Sequence, residues 1–339
     1  MNQRYSRQIL FPAIGKEGQK KLREKHALIV GAGALGAANA ETLTRAGIGK
    51  LTIADRDYVE WSNLQRQQLY SEEDVVRKAP KAIAAAKRLK AINSEVQVIA
   101  RIMDVGVQEI EELIEGVDLI IDSTDNFDIR FLINDITQKH RIPWIYGGCV
   151  GSYGLSYTIL PGVSPCLNCL MDKLPLGGAT CDTGGVIQPA IQMVAAYQSA
   201  EALKILAEDL ESLRGTLVSF DVWKNHFSSV NVTSLKNPQC LSCGTNPVYP
   251  FLDYRNQTKT ALLCGRDTVQ IRPSALQDMD FTFLEKSLVS QGIMVESNPY
   301  LLSFSIDEAR VVVFKDGRVL VHGVRDILQA KNLYHRFMG

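Results

Sequence analysis

Gly31, Gly33 and Gly36 directly follow the apolar run Ala27–Val30, in Gly-x-Gly-x-x-Gly spacing. That spacing brings backbone N–H groups and a helix N-terminus close to a phosphate. Asp55 closes a second apolar run, where a carboxylate can accept hydrogen bonds from a ribose diol. Neither feature separates NAD from ATP. Asp57 and the loop Ser62-Asn63-Leu64-Gln65-Arg66-Gln67 argue for ATP, because a nicotinamide wants an apolar slot and this stretch is polar and cationic. Cleavage of a triphosphate needs cations, since charge grows on the departing oxygens. Arg66 offers a planar fork for that task and Lys81 a point charge. Asp125, beside Asn126, follows the apolar run ending at Asp122, and a carboxylate at a strand C-terminus is a natural magnesium ligand.

The seven cysteines supply a second set of candidates. Cys166 and Cys169 form one Cys-x-x-Cys pair, Cys240 and Cys243 another. Four thiolates suit a closed tetrahedral zinc site, although the gap between the pairs is far wider than in a compact zinc ribbon. A redox pair is the competing reading, and nothing around these residues resembles a thioredoxin context. Cys181 lies in the glycine-rich stretch Gly-Gly-Ala-Thr-Cys-Asp-Thr-Gly-Gly and would act as a nucleophile only in an exposed, electropositive setting. Cys149, in an apolar run, reads as packing. Cys264, in Leu-Leu-Cys-Gly-Arg-Asp, does not match a rhodanese loop.

Strands alternating with helices must position these groups. From residue 27 to about 160 the apolar runs are nearly continuous, and helices are expected over Ala34–Ala46, Ala79–Ile92, Val107–Ile114 and Asp128–Lys139. This pattern predicts an α/β fold, a doubly wound, mainly parallel Rossmann-like sheet. After Gly148 it changes to antiparallel strands, with a hairpin turning near Trp223–Asn225 and a long helix ending near Leu206. The expected domains are an ATP-binding domain over 1–245, a polar linker over 246–259, and a small α+β domain over 260–339 with about four strands and two helices. Acidic and basic residues balance at 37 each, which gives no case for nucleic acid or an anionic membrane. No signal peptide or bilayer-spanning run is read, so a cytoplasmic protein with free thiols or metal-bound cysteines is expected.

Together, Arg4-Tyr-Ser-Arg7-Gln, Gly31-Ala-Gly-Ala-Leu-Gly36, Asp55-Arg-Asp57 with Ser62-Asn-Leu-Gln-Arg66-Gln, Pro80-Lys81-Ala, Ser123-Thr-Asp-Asn126 and Cys181-Asp-Thr-Gly-Gly resemble the ThiF/MoeB/HesA family, bacterial relatives of ubiquitin-activating enzymes. The resemblance covers residues 1 to about 245. It implies a homodimer that uses ATP and Mg2+ to adenylate the C-terminal glycine of a small ubiquitin-fold sulfur-carrier protein. The carrier would serve thiamine thiazole or molybdopterin synthesis, with a cysteine desulfurase or another sulfur donor as a further partner. By the same resemblance Asp55 holds the ribose, the Ser62–Arg66 loop and Lys81 hold the phosphates, and Asp125 binds magnesium. Arg7 reaches in from the partner subunit, the four paired cysteines hold zinc, and Cys181 aligns with a cysteine used for thioester or acyl-disulfide chemistry in some relatives. Ala34 stands where many relatives have glycine, which matters only if that position needs positive φ. A nicotinamide oxidoreductase on the same sheet is the alternative.

Overall fold

The computed structural model describes residues 3–171, 185–253, 260–262, 267–271, 279–306, 308–324 and 326–338. Two compact units divide the chain, Met1–Asn256 and Gln257–Gly339.

In the first unit α1 (Ser6–Ile9) and α2 (Gly15–Glu24) precede β1 (His26–Val30), α3 (Ala34–Ala46) and β2 (Lys50–Asp55). Next come α4 (Glu72–Val76), α5 (Lys81–Ile92), β3 (Gln97–Ile102), α6 (Val107–Leu113), β4 (Leu119–Asp122), α7 (Phe127–His140) and β5 (Trp144–Val150). After these the chain forms β6 (Tyr153–Ile159), α8 (Leu167–Met171), α9 (Gln188–Leu206), β7 (Leu217–Asp221) and β8 (His226–Val230). The eight strands make one sheet in the order β3-β2-β1-β4-β5-β6-β7-β8. Pairing is parallel from β3 to β5 and antiparallel from β5 to β8. The expected doubly wound sheet with an antiparallel extension is therefore present.

Every residue of β1 and β4 is buried, because helices cover both faces. Ala27, Ile29, Leu51, Ile53 and Ile121 pack on one side with α3 and α5 residues such as Leu43 and Leu89. Leu28, Val30, Ala54 and Ile120 pack on the other with Ile110, Ile133 and Ile136 of α6 and α7. The period-two alternation of one apolar strand thus feeds two cores. The chain winds outward from β1 to β3, then returns to place β4 on the other side of β1, so a crevice opens beyond the carboxyl ends of β1 and β4.

Within the stretch expected to be a polar linker, residues 250–252 form a short 3-10 turn on α7. Phe251 stacks on Phe131 with ring centroids 4.6 Å apart, and its N–H donates to Asp135 Oδ2 at 2.9 Å. The aromatic and aliphatic side chains of Phe251 and Leu252 outweigh the proline punctuation that suggested a free segment.

The second unit holds a six-stranded antiparallel sheet, ordered β11-β12-β13-β14-β10-β9, from β9 (Thr260–Leu262), β10 (Thr268–Ile271), β11 (Val295–Ser297), β12 (Leu301–Ile306), β13 (Ala309–Phe314) and β14 (Val319–His322). Helices Phe281–Ser290 and Ile327–Met338 contribute Leu284, Leu288 and Ala330 to its core. About four strands were expected. The two not foreseen, β10 and β11, are only four and three residues long, too short for an alternation to register.

Candidate functional site

The glycine turn joins the buried end of β1 to α3, and its glycines have distinct physical reasons. Gly31 has φ +94°, and a Cβ there would run into the carbonyl of Ser123. A Cβ on Gly36 would collide with the Gly31 carbonyl, so this residue lets the helix pack tightly on the turn. At Gly33 there is room: a Cβ would meet only the Gln67 side-chain amide, at 3.9 Å. Gly33 is also the N-cap of α3 and supplies no side-chain cap, so the first helical N–H groups await an outside acceptor. Those N–H groups fit a phosphate. Ala34 opens α3 and is not among the residues with positive φ, so its methyl group is compatible with the turn.

Around this turn the structure gathers most of the predicted residues. Asp55 is buried, and its carboxylate accepts the Ala32 N–H at 2.5 Å and the Asp57 N–H at 2.6 Å. Burial pushes its carboxyl above the ordinary range, against the opposing pull of Lys81. Lys81, also buried, starts α5. Its backbone N–H donates to the Asp57 carbonyl at 2.9 Å, and its Nζ lies 3.1 Å from Asp57 Oδ2. Tyr70 Oη donates to the Ala32 carbonyl at 2.6 Å, tying the next loop to the turn.

In that loop Ser62 and Gln65 are exposed, whereas Leu64 packs partly into the core. Asn63 is fully buried and closes the turn by accepting the Glu60 N–H at 3.0 Å, so it shapes the loop from within. Arg66 is half-buried, with Nη1 on the Ser62 carbonyl at 2.6 Å. Gln67 is buried beside Gly33, and its Oε1 has no hydrogen-bond partner among the described residues.

Across the crevice, Asp125 is exposed on the loop between β4 and α7. Asn126 caps α7 by accepting the Asp128 N–H at 2.8 Å, which engages its side-chain oxygen. Arg7 is the predicted residue that the fold does not bring to the crevice. Its neighbours anchor at the opposite ends of the helices: Arg4 Nη1 donates to the Ile92 carbonyl at 2.8 Å and Gln8 Nε2 to the Ala46 carbonyl at 2.9 Å. The 13 residues of α3 put that anchorage about 20 Å from the glycine turn. Cys181 and Cys264 lie outside the described residues. Cys149 is half-buried near the end of β5.

Two groups of charged residues join the site without having been singled out from the sequence. Arg56 pairs with Asp104 at 3.1 Å and lies 3.8 Å from Asp57. Burial would lower its pKa, but the carboxylates of Asp104, Asp57 and Asp125 more than offset that and hold it protonated. Arg130 and Asp122 form a buried pair at 3.0 Å behind the Asp125 loop. Both arginines stand in plain view next to or near flagged acids, but only the fold shows which way they face.

The four paired cysteines do converge. Their sulfurs all lie within 4.8 Å of one another, with Cys166–Cys169 at 3.9 Å, Cys166–Cys240 at 3.6 Å and Cys169–Cys243 at 3.5 Å. Tetrahedral bonds of about 2.3 Å put sulfurs roughly 3.8 Å apart, so the set fits zinc without rearrangement. The Asn237 N–H points at Cys169 Sγ from 3.5 Å, and hydrogen bonds from Cys166 and then Cys243 favour a thiolate at Cys169. Leu167 N–H donates to Asn134 Oδ1 at 2.8 Å and so fastens the first pair to α7. No helix among the described residues is long and apolar enough to cross a membrane.

Comparison with known proteins agrees with this geometry. The chain is 54% identical over 339 residues, all of both proteins, to a Bacillus subtilis (strain 168) protein named sulfur carrier protein ThiS adenylyltransferase. It is 34% identical over 245 residues to the Salmonella typhimurium molybdopterin-synthase adenylyltransferase, covering 71% of this chain and 96% of that protein. Among solved structures, Escherichia coli MccB with MccA-N7isoASN superposes with a TM-score of 0.64 at 25% identity, covering 72% of this chain and 76% of that one. The ThiF family model matches residues 5–242, a span that takes in the glycine turn, the Arg66 loop, Asp125 and three of the four paired cysteines. This chain belongs to the ThiF family.

Proposed function

We propose that the protein is an ATP-dependent adenylyltransferase that activates the C-terminal glycine carboxylate of a small ubiquitin-fold sulfur carrier. The observation that carries this reading is the meeting of an uncapped glycine turn, buried Asp55 and Lys81, and exposed Asp125 at the crevice between β1 and β4. The full-length similarity to a ThiS adenylyltransferase, against a partial match to the molybdopterin-synthase enzyme, favours a carrier of thiamine thiazole synthesis.

Asp55, held by two backbone N–H groups, would receive the ribose hydroxyls. The free N–H groups of α3 would take phosphate oxygens, and Gly33 leaves space for their approach. Arg66 and Lys81 would leave Ser62 and Asp57 to meet the charge that builds on the departing pyrophosphate as the carrier carboxylate attacks the α-phosphorus. That carboxylate is ionised near neutral pH, so no base is needed. Asp125 is the residue to hold Mg2+, which when bound neutralises phosphate charge. Alignment and charge stabilisation therefore account for the rate.

Arg7, anchored far from its own glycine turn, would serve the site of a second copy, and on this reading the working form is a homodimer. The four cysteines would hold zinc in a structural role. Residues 1–245 would carry the activity, with 246–259 and 260–339 appended to it. Cys181 and a cysteine desulfurase or similar donor would belong to the later sulfur transfer.

The reading is tested by ATP–pyrophosphate exchange with purified carrier. Exchange that requires both the carrier's terminal glycine and Asp125 supports it, and exchange indifferent to either rejects it.

A further inference from the structure

The loop that carries Asp125 is held by a device that none of the assigned roles uses. Asp122 ends β4 with no exposed surface, and Arg130, one turn into α7, is itself buried. Asp122 Oδ2 accepts Arg130 Nε–H at 3.0 Å. The other carboxylate oxygen accepts two bonds from Thr124, from its N–H at 3.0 Å and from its hydroxyl at 2.7 Å. Arg130 closes the ring: Nη2 donates to the Thr124 carbonyl at 2.7 Å and to the Gly147 carbonyl at 3.3 Å. The guanidinium is wedged between the rings of Phe127 and Tyr146, 5.0 and 5.1 Å from their centroids.

Thr124 is thus gripped by its N–H, its hydroxyl and its carbonyl, and that carbonyl belongs to the peptide that launches Asp125. On the far side Asn126 is fixed as the cap of α7. Between these fixed residues the Asp125 side chain is left exposed. The same loop abuts the glycine turn, since the Ser123 carbonyl is what a side chain at Gly31 would strike. The grip on Thr124 therefore sets where Asp125 stands relative to the nucleotide turn. The Asp125 charge reaches Arg130, adding to the hold that Asp122 has on its proton.

We propose that Asp122 and Arg130 are positioning residues which, acting through Thr124, hold the Asp125 carboxylate in place for its divalent cation. This rests on the reading of Asp125 as a metal ligand. A buried pair with a merely structural role would affect stability and leave cation affinity alone. A pair that orients a ligand governs affinity, typically by about 10–100-fold.

The experiment measures Mn2+ binding by electron paramagnetic resonance in the presence of α,β-methylene-ATP, on the full chain, with folding checked by thermal melting. Wild type is compared with Asp125→Ala, Thr124→Val and Arg130→Lys. Thr124→Val removes the hydroxyl bond while sparing the ion pair. Arg130→Lys keeps a cation for Asp122 but loses the fork that reaches Thr124. Folded Thr124→Val and Arg130→Lys should bind Mn2+ at least about tenfold more weakly. Excess Mg2+ should restore their pyrophosphate exchange. Wild-type Mn2+ affinity in both, alongside a loss in Asp125→Ala, overturns the inference and leaves the functional reading standing. Unchanged affinity in Asp125→Ala overturns the role of Asp125 and this inference with it. If Arg130→Lys does not fold, Thr124→Val alone decides.

Discussion

Asp125 and Arg66 share a surface character that separates their chemistry from the fold. Asp125 is exposed, and Arg66 is half-buried with a bond to a neighbouring carbonyl. Asp125→Ala and Arg66→Ala should therefore each reduce pyrophosphate exchange by about 100-fold or more. Their melting temperatures should stay near wild type, as is usual for surface substitutions. Lys81 differs, because its ammonium is buried against Asp57. Lys81→Ala should lose activity and, in the same melt, about 1–3 kcal/mol of stability, since it removes a buried cation from the partly buried Asp57 carboxylate. That these residues come together was legible in the sequence, because each follows an apolar run and successive strands of such a sheet end side by side. Tyr70, Arg56, Asp122 and Arg130 were harder to read as site residues. Their parts depend on directions that only packing fixes: Tyr70 faces back onto the Ala32 carbonyl, and Arg130 turns inward from α7.

At the scale of elements, the glycine turn gives a paired contrast. Gly36→Ala forces a methyl into the Gly31 carbonyl and should destabilise the protein by about 2 kcal/mol or more. Gly33→Ala finds open space and an extended backbone, φ −69° and ψ −153°, so it should fold normally and weaken nucleotide binding. Thermal melts with and without ATP distinguish the two. The N-terminal end of β1 supplies a pH response. His26 is buried, with Nε2 2.8 Å from Thr52 Oγ1, and burial first, then Lys50, holds its pKa below the usual 6.5. The unfolded imidazole protonates before the folded one, so stability should be level above that pH and fall as pH drops below it. Urea midpoints measured from about pH 7 to about pH 5 should show the decline, and His26→Gln should flatten it. Elements with strong periodicity were plain in the sequence: α3 spans the expected Ala34–Ala46, and the β7–β8 hairpin turns at Asn225 with φ +55°. The strand β10 and the turn of Phe251 onto α7 were not, because each leans on partners distant in sequence, and β11, hairpinned onto the adjacent β12, is too short for an alternation to register.

For the whole molecule, the proposed action of Arg7 on the site of a second copy would make the oligomer part of the chemistry. An Arg7→Ala variant and an Asp125→Ala variant should each be inactive alone. Mixed and allowed to exchange subunits, they should recover about a quarter of wild-type exchange activity, because each mixed dimer holds one complete site. No recovery would mean that Arg7 does not act across a dimer. Neither the crevice nor the cysteine cluster could be assembled from spacing alone: β4 had to be known to lie beside β1, and Cys240 beside Cys166. Resemblance to the family supplied what local pattern could not, and the fold gives it a geometric basis.

Transfer of an adenylyl group from ATP to the terminal carboxylate of a carrier is read from the mass of the carrier after incubation. With ATP and Mg2+ a ThiS-type carrier should gain the mass of one AMP, and a carrier lacking its last glycine should gain none. An unmodified carrier, together with tight binding of NAD at the glycine turn, would contradict the account.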